Sequence, residues 1–243
     1  MSSTIQIIKS ILEELIAVGV NEVAFEPTTD NKSTLIRGAS SDHNIIVYDT
    51  YPDLLVPSVL GIQNVRAFYS RISLFDLEKA SVNFEKSSKS DKIVCVEIKQ
   101  GRRKVTYKPA QPATLSIPKA MPTMTFVGNE VVFAEDAVDS MMNIFQSMSM
   151  TGKKEEQHVA ISVESGELEL SFSDGESDSF VDKFDVEGED IPRSYWNMDP
   201  FKRVIKQAAE RTVNKSAKLS ITEHGIAVFD MIPISVMVAP LAK

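Results

Sequence analysis

The sequence predicts an α+β protein made of two similar halves, each with two helices packed on antiparallel sheet. Three observations support this prediction. Short segments of alternating apolar and polar residues, separated by turn residues, fill most of the chain. The pattern of the first half recurs in the second, and a proline-rich segment lies between them. The length of 243 residues, 43% of them hydrophobic, allows each half a core of its own.

The most informative segment is residues 199–211, DPFKRVIKQAAER, which we predict to be a helix with one apolar and one basic face. Asp199 is expected to cap its free backbone N–H groups, with Pro200 at the first helical position. The apolar face is expected to rest on a sheet. This face comprises Phe201, Val204, Ile205 and Ala208, and the basic face comprises Lys202, Arg203 and Lys206.

An offset of 136 positions relates the two halves. At this offset Val23-Ala24-Phe25 corresponds to Val159-Ala160-Ile161 (159 − 23 = 136), and Tyr48-Asp49 corresponds to Phe184-Asp185. The same offset matches Ile5, Ile8 and Leu12 with Met141, Ile144 and Met148. It also matches the apolar face of the basic helix with Val65, Phe68, Tyr69 and Ile72, and Lys202 with Arg66. Shared periodicity without identity is typical of a duplicated unit after divergence.

In the first half, apolar residues at helical spacing predict helices at 4–18, ended by Gly19, and at 62–75. Alternation with a period of two predicts strands at 21–28, 33–38, 44–49, 81–85, 92–98 and 102–108. The polar segment TTDNK is expected to join the first two strands, and Gln100-Gly101 the last two.

The second half follows the same order. Beside the basic helix, the patterns predict a helix at 134–150 and strands at 124–133, 158–163, 167–173, 178–186, 217–222, 225–229 and 234–238. The strand at 124–133 has almost no counterpart before the first helix, because the sequence begins there.

Four prolines in the centre of the chain predict an extended connector between the halves: Pro109, Pro112, Pro118 and Pro122. We therefore divide the chain into an N-terminal repeat at 1–113, a connector at 114–123 and a C-terminal repeat at 124–243.

Nothing in the sequence supports an enzyme, a metal site or a bound cofactor. There is no glycine-rich phosphate loop, and the three histidines are isolated from one another and from the single cysteine, Cys95. The N-terminus lacks the features of a signal peptide, and the longest apolar run, 231–242, is short for a membrane span and contains two prolines. We expect a cytoplasmic protein that does not contact a membrane. Its net charge of −8 disfavours nucleic acid unless the positive charges are clustered.

Two stretches carry a family resemblance. The segment 127–174, VGNEVVFAEDAVDSMMNIFQSMSM followed by HVAISVESGELELSFSD, resembles the start of the second half of bacteriophage-type DNA sliding clamps. The segment KLSITEHGIAVFD, with VAPLA near the C-terminus, resembles the closing strands of the wider family, which includes proliferating cell nuclear antigen. With the two-half arrangement, the resemblance covers nearly the whole chain.

The resemblance implies a DNA-clamp fold that assembles head to tail into a ring, here a homotrimer, around duplex DNA. It further implies a processivity factor without enzymatic activity that tethers a replicative DNA polymerase and is opened by an ATP-dependent clamp loader. A virus-encoded clamp would act in the host cytoplasm. The alternative from another class is a non-enzymatic, β-rich structural or adaptor protein of a phage particle.

On a ring, basic side chains of the helices would face the central hole and contact phosphates without reading sequence. The residues expected there are Lys9, Arg66, Arg71, Lys202, Arg203, Lys206 and Arg211. For any one helix alone, an ordinary solvated face is the simpler interpretation. The helix at 134–150 contains neither lysine nor arginine, and the next basic residues are Lys153 and Lys154. We do not expect that helix to contribute to DNA binding.

Two oppositely charged runs, one in each half, could join neighbouring subunits if both are sheet edges. The basic residues are Arg102, Arg103 and Lys104, and the acidic residues are Asp174, Glu176, Asp178 and Asp182. Exposed turns carrying solubilising charge are an equally good explanation.

Clamps of the family bind a short apolar peptide of their partners between the connector and the C-terminal segment. By position, the resemblance assigns this pocket to Leu115, Ile117, Val238, Pro240 and Leu241. Each of them could equally be a core or linker residue.

Overall fold

The computed structural model describes residues 4–52, 54–89, 92–121, 124–148, 156–173, 179–185, 189–231 and 234–241. The chain divides into two compact units, residues 1–121 and 122–243. No helix in the described part of the chain is long and apolar enough to cross a membrane.

The first unit alternates helices with antiparallel strands. Its helices are α1 (Thr4–Val18) and α2 (Val65–Ile72), and a 3₁₀ turn occupies Pro112–Thr114. Its strands are β1 (Glu22–Pro27), β2 (Thr34–Ala39), β3 (Ile45–Tyr51), β4 (Leu60–Ile62), β5 (Ser81–Lys86), β6 (Ile93–Gln100) and β7 (Arg103–Tyr107).

Within the first unit, β4, β1, β2 and β3 pair in that order, and β5, β6 and β7 pair as a meander. Helices α1 and α2 pack side by side. Helix α1 buries the residues that recur at helical spacing, among them Ile5, Ile8 and Leu12, and α2 buries Val65 and Phe68.

The second unit repeats this arrangement after one additional strand. The strands are β8 (Phe126–Phe133), β9 (His158–Glu164), β10 (Glu167–Ser173), β11 (Ser179–Asp185), β12 (Ile191–Asn197), β13 (Ala217–Thr222), β14 (Ala227–Met231) and β15 (Ile234–Val238). The helices are α3 (Glu135–Met148) and α4 (Met198–Glu210).

Strands β12, β9, β10 and β11 pair in the order that β4, β1, β2 and β3 follow in the first unit. Strands β13, β14 and β15 form a meander like β5, β6 and β7, with β8 added on the outer edge of β13. Helices α3 and α4 again pack side by side. The prediction of two similar α+β halves with helices on antiparallel sheet is therefore confirmed.

The constant offset of 136, however, is wrong for part of the chain. Helices α1 and α3 match best at an offset of 133, because the buried residues Ile5, Ile8, Leu12 and Leu15 then align with Val138, Met141, Phe145 and Met148 (138 − 5 = 133). The offset of 136 holds between β1 and β9 and then decreases, since residues 28–33 join β1 to β2 whereas residues 165–166 join β9 to β10. Helices α2 and α4 correspond at 133, because their N-caps are Asn64 and Asn197 (197 − 64 = 133), so Arg66 corresponds to Asp199 and not to Lys202. Tyr48 therefore corresponds in the sheet to Val181 and not to Phe184.

Three further details differ from the sequence predictions. Strands β4 and β12 were not predicted, and the second helix begins at Val65 because Ile62 belongs to β4. Strand β4 is short and follows Pro57, and β12 contains Pro192 and several polar residues, so alternation is weak in both. Helix α4 begins at Met198 with Asn197 as its N-cap, so Asp199 lies in the first turn and does not cap the helix. A carboxylate there still interacts favourably with the helix dipole.

Strand β8 contains a bulge at which a glycine is required. Its pairing with β13 shifts register between Leu219 and Ile221, and Gly128 in this bulge has a φ of +67°. A Cβ at Gly128 would lie 2.4 Å from Ile191 Cγ1. A side chain at position 128 is therefore disfavoured both by the positive φ and by contact with Ile191.

We expect Gly128→Ala to lower the free energy of unfolding by about 2–3 kcal/mol, combining left-handed strain with overpacking. The matched control is Gly101→Ala, since Gly101 has a φ of +58° but no neighbouring atom within 4 Å of its Cβ position. This control is expected to lose only about 1 kcal/mol. Equal losses in urea denaturation would contradict the assigned contact with Ile191.

Candidate nucleic-acid interface and docking surfaces

Helix α4 is held by aromatic contacts on its apolar face. Phe201 packs against Trp196 and Phe229, with ring centroids 5.5 Å and 5.3 Å away, and Trp196 Nε1 donates a hydrogen bond of 2.9 Å to the Gly225 carbonyl. Phe201, Val204, Ile205 and Ala208 are fully buried. Because this face is fixed, the opposite face with its basic residues remains at the surface.

The basic face of α4 also carries acidic residues, which were not part of the predicted face. Arg203 pairs with Asp199 at 3.0 Å, and Lys206 lies 3.8 Å from Glu210. Lys202 is half-buried and makes no ion pair with any residue that the structure describes. Arg211 is the exposed C-cap residue. The face is therefore only moderately positive.

In the first unit, α2 presents its two arginines on opposite flanks of its polar face. Arg66 and Arg71 are both exposed, whereas Val65, Phe68 and Ile72 are buried. The helix start is fixed by Asn64, whose side chain accepts a hydrogen bond of 2.8 Å from the Ala67 backbone N–H. Within the described residues Arg66 has no ion-pair partner, so it is available to an anion.

Two aromatic rings orient basic side chains of this unit. Lys9 Nζ lies 5.9 Å from the ring centroid of Tyr69, and the guanidinium of Arg71 lies 5.6 Å from that of Tyr107. Tyr107 also packs against Phe68, with a centroid distance of 4.4 Å. Burial raises the pKa of the Tyr107 hydroxyl, although its hydrogen bond with the Gln63 backbone and the charge of Arg71 act in the opposite direction. The ring is thus a fixed, neutral support for Arg71.

Helix α3 is acidic, as the sequence predicts. Glu135 and Asp136 lie in its first turn, and residues 135–148 include no lysine or arginine. Lys215, in the segment that follows α4, forms an ion pair of 2.5 Å with Glu135. The hydrogen bond to Glu135, assisted by the charges of Glu135 and Asp139, raises the pKa of Lys215. Lys215 therefore offsets part of the negative charge beside α4.

The basic run from Arg102 to Lys104 and the acidic strand β11 both lie at sheet edges. Strand β7 is the last strand of its meander, and β11 is the last strand beside β10, among the described residues. Arg102 and Arg103 are exposed, whereas Lys104 pairs with Glu97 of the neighbouring strand. Hydrogen bonds from Lys104 and Lys99 lower the pKa of Glu97. Two of the three predicted cations thus have no internal partner within the described chain.

On β11, Asp182 is half-buried and lines a cavity of about 340 Å³. Asp136 and Asp185 line the same cavity, together with apolar residues such as Phe184 and Leu168. The predicted interface residues Asp174, Glu176 and Asp178, like Lys153 and Lys154 after α3, lie outside the described residues. The described part of the acidic region is therefore a carboxylate-lined cavity beside an edge strand.

The connector is attached to the sheet of the first unit. Leu115 and Ile117 are buried against Ala24 and Ala39 of β1 and β2. The Ala110 backbone N–H donates a hydrogen bond of 2.9 Å to the Gly61 carbonyl. These contacts place the two connector residues of the predicted peptide pocket in the core of the first unit.

Polar contacts fix the same segment. The Ser116 backbone N–H donates to the Glu22 carboxylate at 2.5 Å, and Arg37 donates to the Pro118 carbonyl at 2.7 Å while pairing with Glu26. The sequence does not predict these polar contacts, because neither periodicity nor spacing links β1 and β2 to a segment about 80 positions later.

The C-terminal residues of the predicted pocket belong to the second unit. Val238 ends β15 and is fully buried, whereas Pro240 and Leu241 are half-buried. The Leu241 backbone N–H donates a hydrogen bond of 2.8 Å to the Tyr195 carbonyl. Of the C-terminal residues, Pro240 and Leu241 are therefore the ones that a partner could reach.

No group of three or more histidine, cysteine, aspartate or glutamate side chains among the described residues could hold a metal ion.

Solved structures similar to this one cover nearly the whole chain. A chain from the complex of PCNA2 and PCNA3 of Sulfolobus tokodaii matches with a TM-score of 0.58 at 13% identity. The match covers 97% of this chain and 96% of the PCNA chain. The PCNA of A. fulgidus, bound to the C-terminal region of FEN-1, matches with a TM-score of 0.58 at 12% identity, over 98% and 96%. The chain has the fold of the DNA sliding clamps.

The bacterial clamp is similar over part of its length. The DNA polymerase III beta chain of Streptococcus pneumoniae matches with a TM-score of 0.65 at 11% identity, and the match covers 98% of this chain but 63% of that one. The clamp fold is thus present in a chain of PCNA length. No protein-family model and no curated protein matches the sequence.

Proposed function

We propose that the protein is a DNA sliding clamp, which encircles duplex DNA without sequence specificity and tethers a replicative DNA polymerase. The observation that carries this proposal is the similarity to two-unit clamps over almost the full length of both chains. On this proposal the protein catalyses no reaction and needs no cofactor. It acts in the cytoplasm, or in the host cytoplasm if it is virus-encoded.

A ring requires several copies, and we propose a homotrimer. Each copy would contribute both of its units, so that the helix pairs α1–α2 and α3–α4 line the hole. Edge strand β7 of one subunit would pair with β11 of the next, and Arg102 and Arg103 would lie near the carboxylates of Asp136, Asp182 and Asp185. Opposite charges on these two edges support this arrangement.

The modest charge of the helices agrees with retention by encirclement. Arg66, Arg71, Lys9 and Lys202 can each contact phosphate, but α3 is acidic and two cations of α4 are paired internally. A protein that relied on affinity alone would need a denser basic surface. A closed ring stays on DNA without strong contacts, and weak contacts permit sliding.

Partners of the proposed clamp are a DNA polymerase and an ATP-dependent clamp loader, which opens the ring. FEN-1 binds A. fulgidus PCNA through its C-terminal region, which is a precedent for docking by a terminal peptide. In this chain, half-buried Pro240 and Leu241 are accessible for such a contact. Leu115, Ile117 and Val238 are buried within their own units.

The decisive prediction is that the protein is linked to DNA by encircling it. After loading by its cognate loader, or by mild denaturation and reclosure, the protein is expected to remain on nicked circular duplex and to leave the same DNA once it is linearised. Gel filtration of the labelled complex measures the retained fraction. Blocking both ends of the linear DNA with bulky proteins is the control and should restore retention. Equal retention on open circles and free-ended linear DNA would contradict encirclement.

Charge reversal on the helices should weaken the contact with duplex DNA. We expect Arg66→Glu with Lys202→Glu to lower the equilibrium affinity and to reduce the salt slope by about one unit per lost phosphate contact. Lys119→Glu is the matched control, because Lys119 is an exposed cation of the connector. Fluorescence anisotropy over a salt series measures both quantities. An identical loss for all of these variants would indicate a general charge effect and contradict the assigned interface.

The mass of the oligomer in solution tests the proposed contact between β7 and β11 of neighbouring subunits. Arg102→Glu with Arg103→Glu should shift the mass measured by light scattering from three chains toward one, since like charges would face each other. Arg102→Gln with Arg103→Gln, which removes charge without reversing it, is expected to have a smaller effect. An unchanged mass for the reversed variant would exclude this edge from the interface.

A further inference from the structure

The two units differ at one edge of their meanders. In the second unit, β8 pairs antiparallel with the outer edge of β13. In the first unit, β5 occupies the position of β13, and its outer edge has no strand partner among the described residues. The backbone N–H and C=O groups on that edge can therefore accept an additional strand.

The pairing registers show which residues correspond. Leu219 lies opposite Phe229, which lies opposite Val236, and in the first unit Val82 lies opposite Ile98, which lies opposite Val105. Val82 therefore corresponds to Leu219. By the same pairing, Phe84, which lies opposite Val96, corresponds to Ile221, which lies opposite Ala227.

These corresponding residues differ in burial, as expected if a strand covers the edge of β13 but not the edge of β5. Leu219 and Ile221 are 0% and 1% exposed beside β8, whereas Val82 and Phe84 are only half-buried. Charged side chains, which often protect a free edge, occur in β5 only at its end, at Glu85 and Lys86. The edge from Ser81 to Phe84 is uncharged, and its inner face is apolar and incompletely covered.

We propose that the outer edge of β5 is a docking site for an extended segment of a partner protein, which adds a strand antiparallel to β5 as β8 does to β13. The occupant of the equivalent edge defines the chemistry. In β8, Val131 lies opposite Leu219 and Phe133 opposite Ala217, and both are buried, whereas Val132 between them is exposed. The partner segment should therefore present two apolar side chains separated by one residue, the first opposite Val82.

This site lies within the first unit and involves neither the helix faces nor β7 and β11. It requires no ring, so it can be tested whether or not the proposed clamp function holds. Backbone hydrogen bonds would supply general affinity, and the contacts of the two apolar side chains with Val82 and Ala80, the counterparts of Leu219 and Ala217, would supply specificity.

The probe is a synthetic peptide with the sequence of residues 126–133, FVGNEVVF, carrying a short lysine tail for solubility. It is titrated against the full chain by fluorescence anisotropy, and hydrogen exchange is followed by mass spectrometry. We expect saturable binding, slower exchange at residues 81–86 and unchanged exchange at 217–222. A peptide with serine at the positions of Val131 and Phe133 should bind at least about tenfold more weakly.

Two protein variants locate the contact. Val82→Asp should weaken peptide binding by about tenfold or more. Asn83→Asp, the matched control, introduces the same charge on the exposed opposite face of β5 and should bind within about twofold of the unaltered chain. Circular dichroism checks that Val82→Asp is folded. If it is not, the serine peptide against the unaltered chain decides the question.

Several outcomes would overturn the proposal. These are an absence of saturable binding, equal binding of the serine peptide, and protection at 217–222, which would indicate exchange with β8. Protection of residues 81–86 that rises with protein concentration alone would identify a second copy of this chain as the occupant, and not a partner protein.

Discussion

The structure depends on the burial of one apolar face of each helix. Phe201 lies between Trp196 and Phe229, and Phe145 packs edge-on against Phe172 with ring centroids 5.1 Å apart. A helix fixed in this way has only one face left for solvent, so the placement of every basic side chain follows from the placement of the apolar ones. Fully burying a side chain of this size contributes about 2–3 kcal/mol, whereas an exposed ion pair contributes less than about 1 kcal/mol. Packing therefore determines the orientation of the charges, and the charges have little influence on the packing.

This order of effects explains how an acidic protein could act on DNA as proposed. The net charge of −8 opposes association with a polyanion, and only a few cations of the helices lack an internal partner within the described chain. Lys9 and Arg71 are instead held over the rings of Tyr69 and Tyr107, an arrangement that orients a cation without neutralising it. Such contacts would be individually weak in physiological salt. In the proposed ring, a topological link would supply the lifetime on DNA that these weak contacts do not.

The sequence predicted the fold well where apolar periodicity was long, and less well where geometry depended on short or distant contacts. Helix α1 begins and ends where its pattern predicts, at Thr4 and Val18, because its buried residues recur over the whole helix. Strand β4 has only the residues Leu60–Ile62, too few for alternation to be recognised. The basic residues of α4 were found, but their pairing with Asp199 and Glu210 was not considered. Arg37 and Glu22 hold the connector through contacts that join distant parts of the chain, and a local pattern carries no information about them.

The duplication is most informative where it is imperfect. Changes in turn length, such as that between β1–β2 and β9–β10, alter the offset between the units but leave the sheet pairing intact, because pairing depends on neighbouring strands and not on position in the chain. The absence of a strand beside β5 in the described first unit is a different kind of change, since it removes a partner from the same meander. In the second unit, the addition of β8 buries Leu219 completely, whereas the corresponding Val82 retains exposed apolar surface. The apolar residues Val82 and Phe84 at an open edge match the pattern of the covered edge in the second unit, and β8 shows what such a cover looks like.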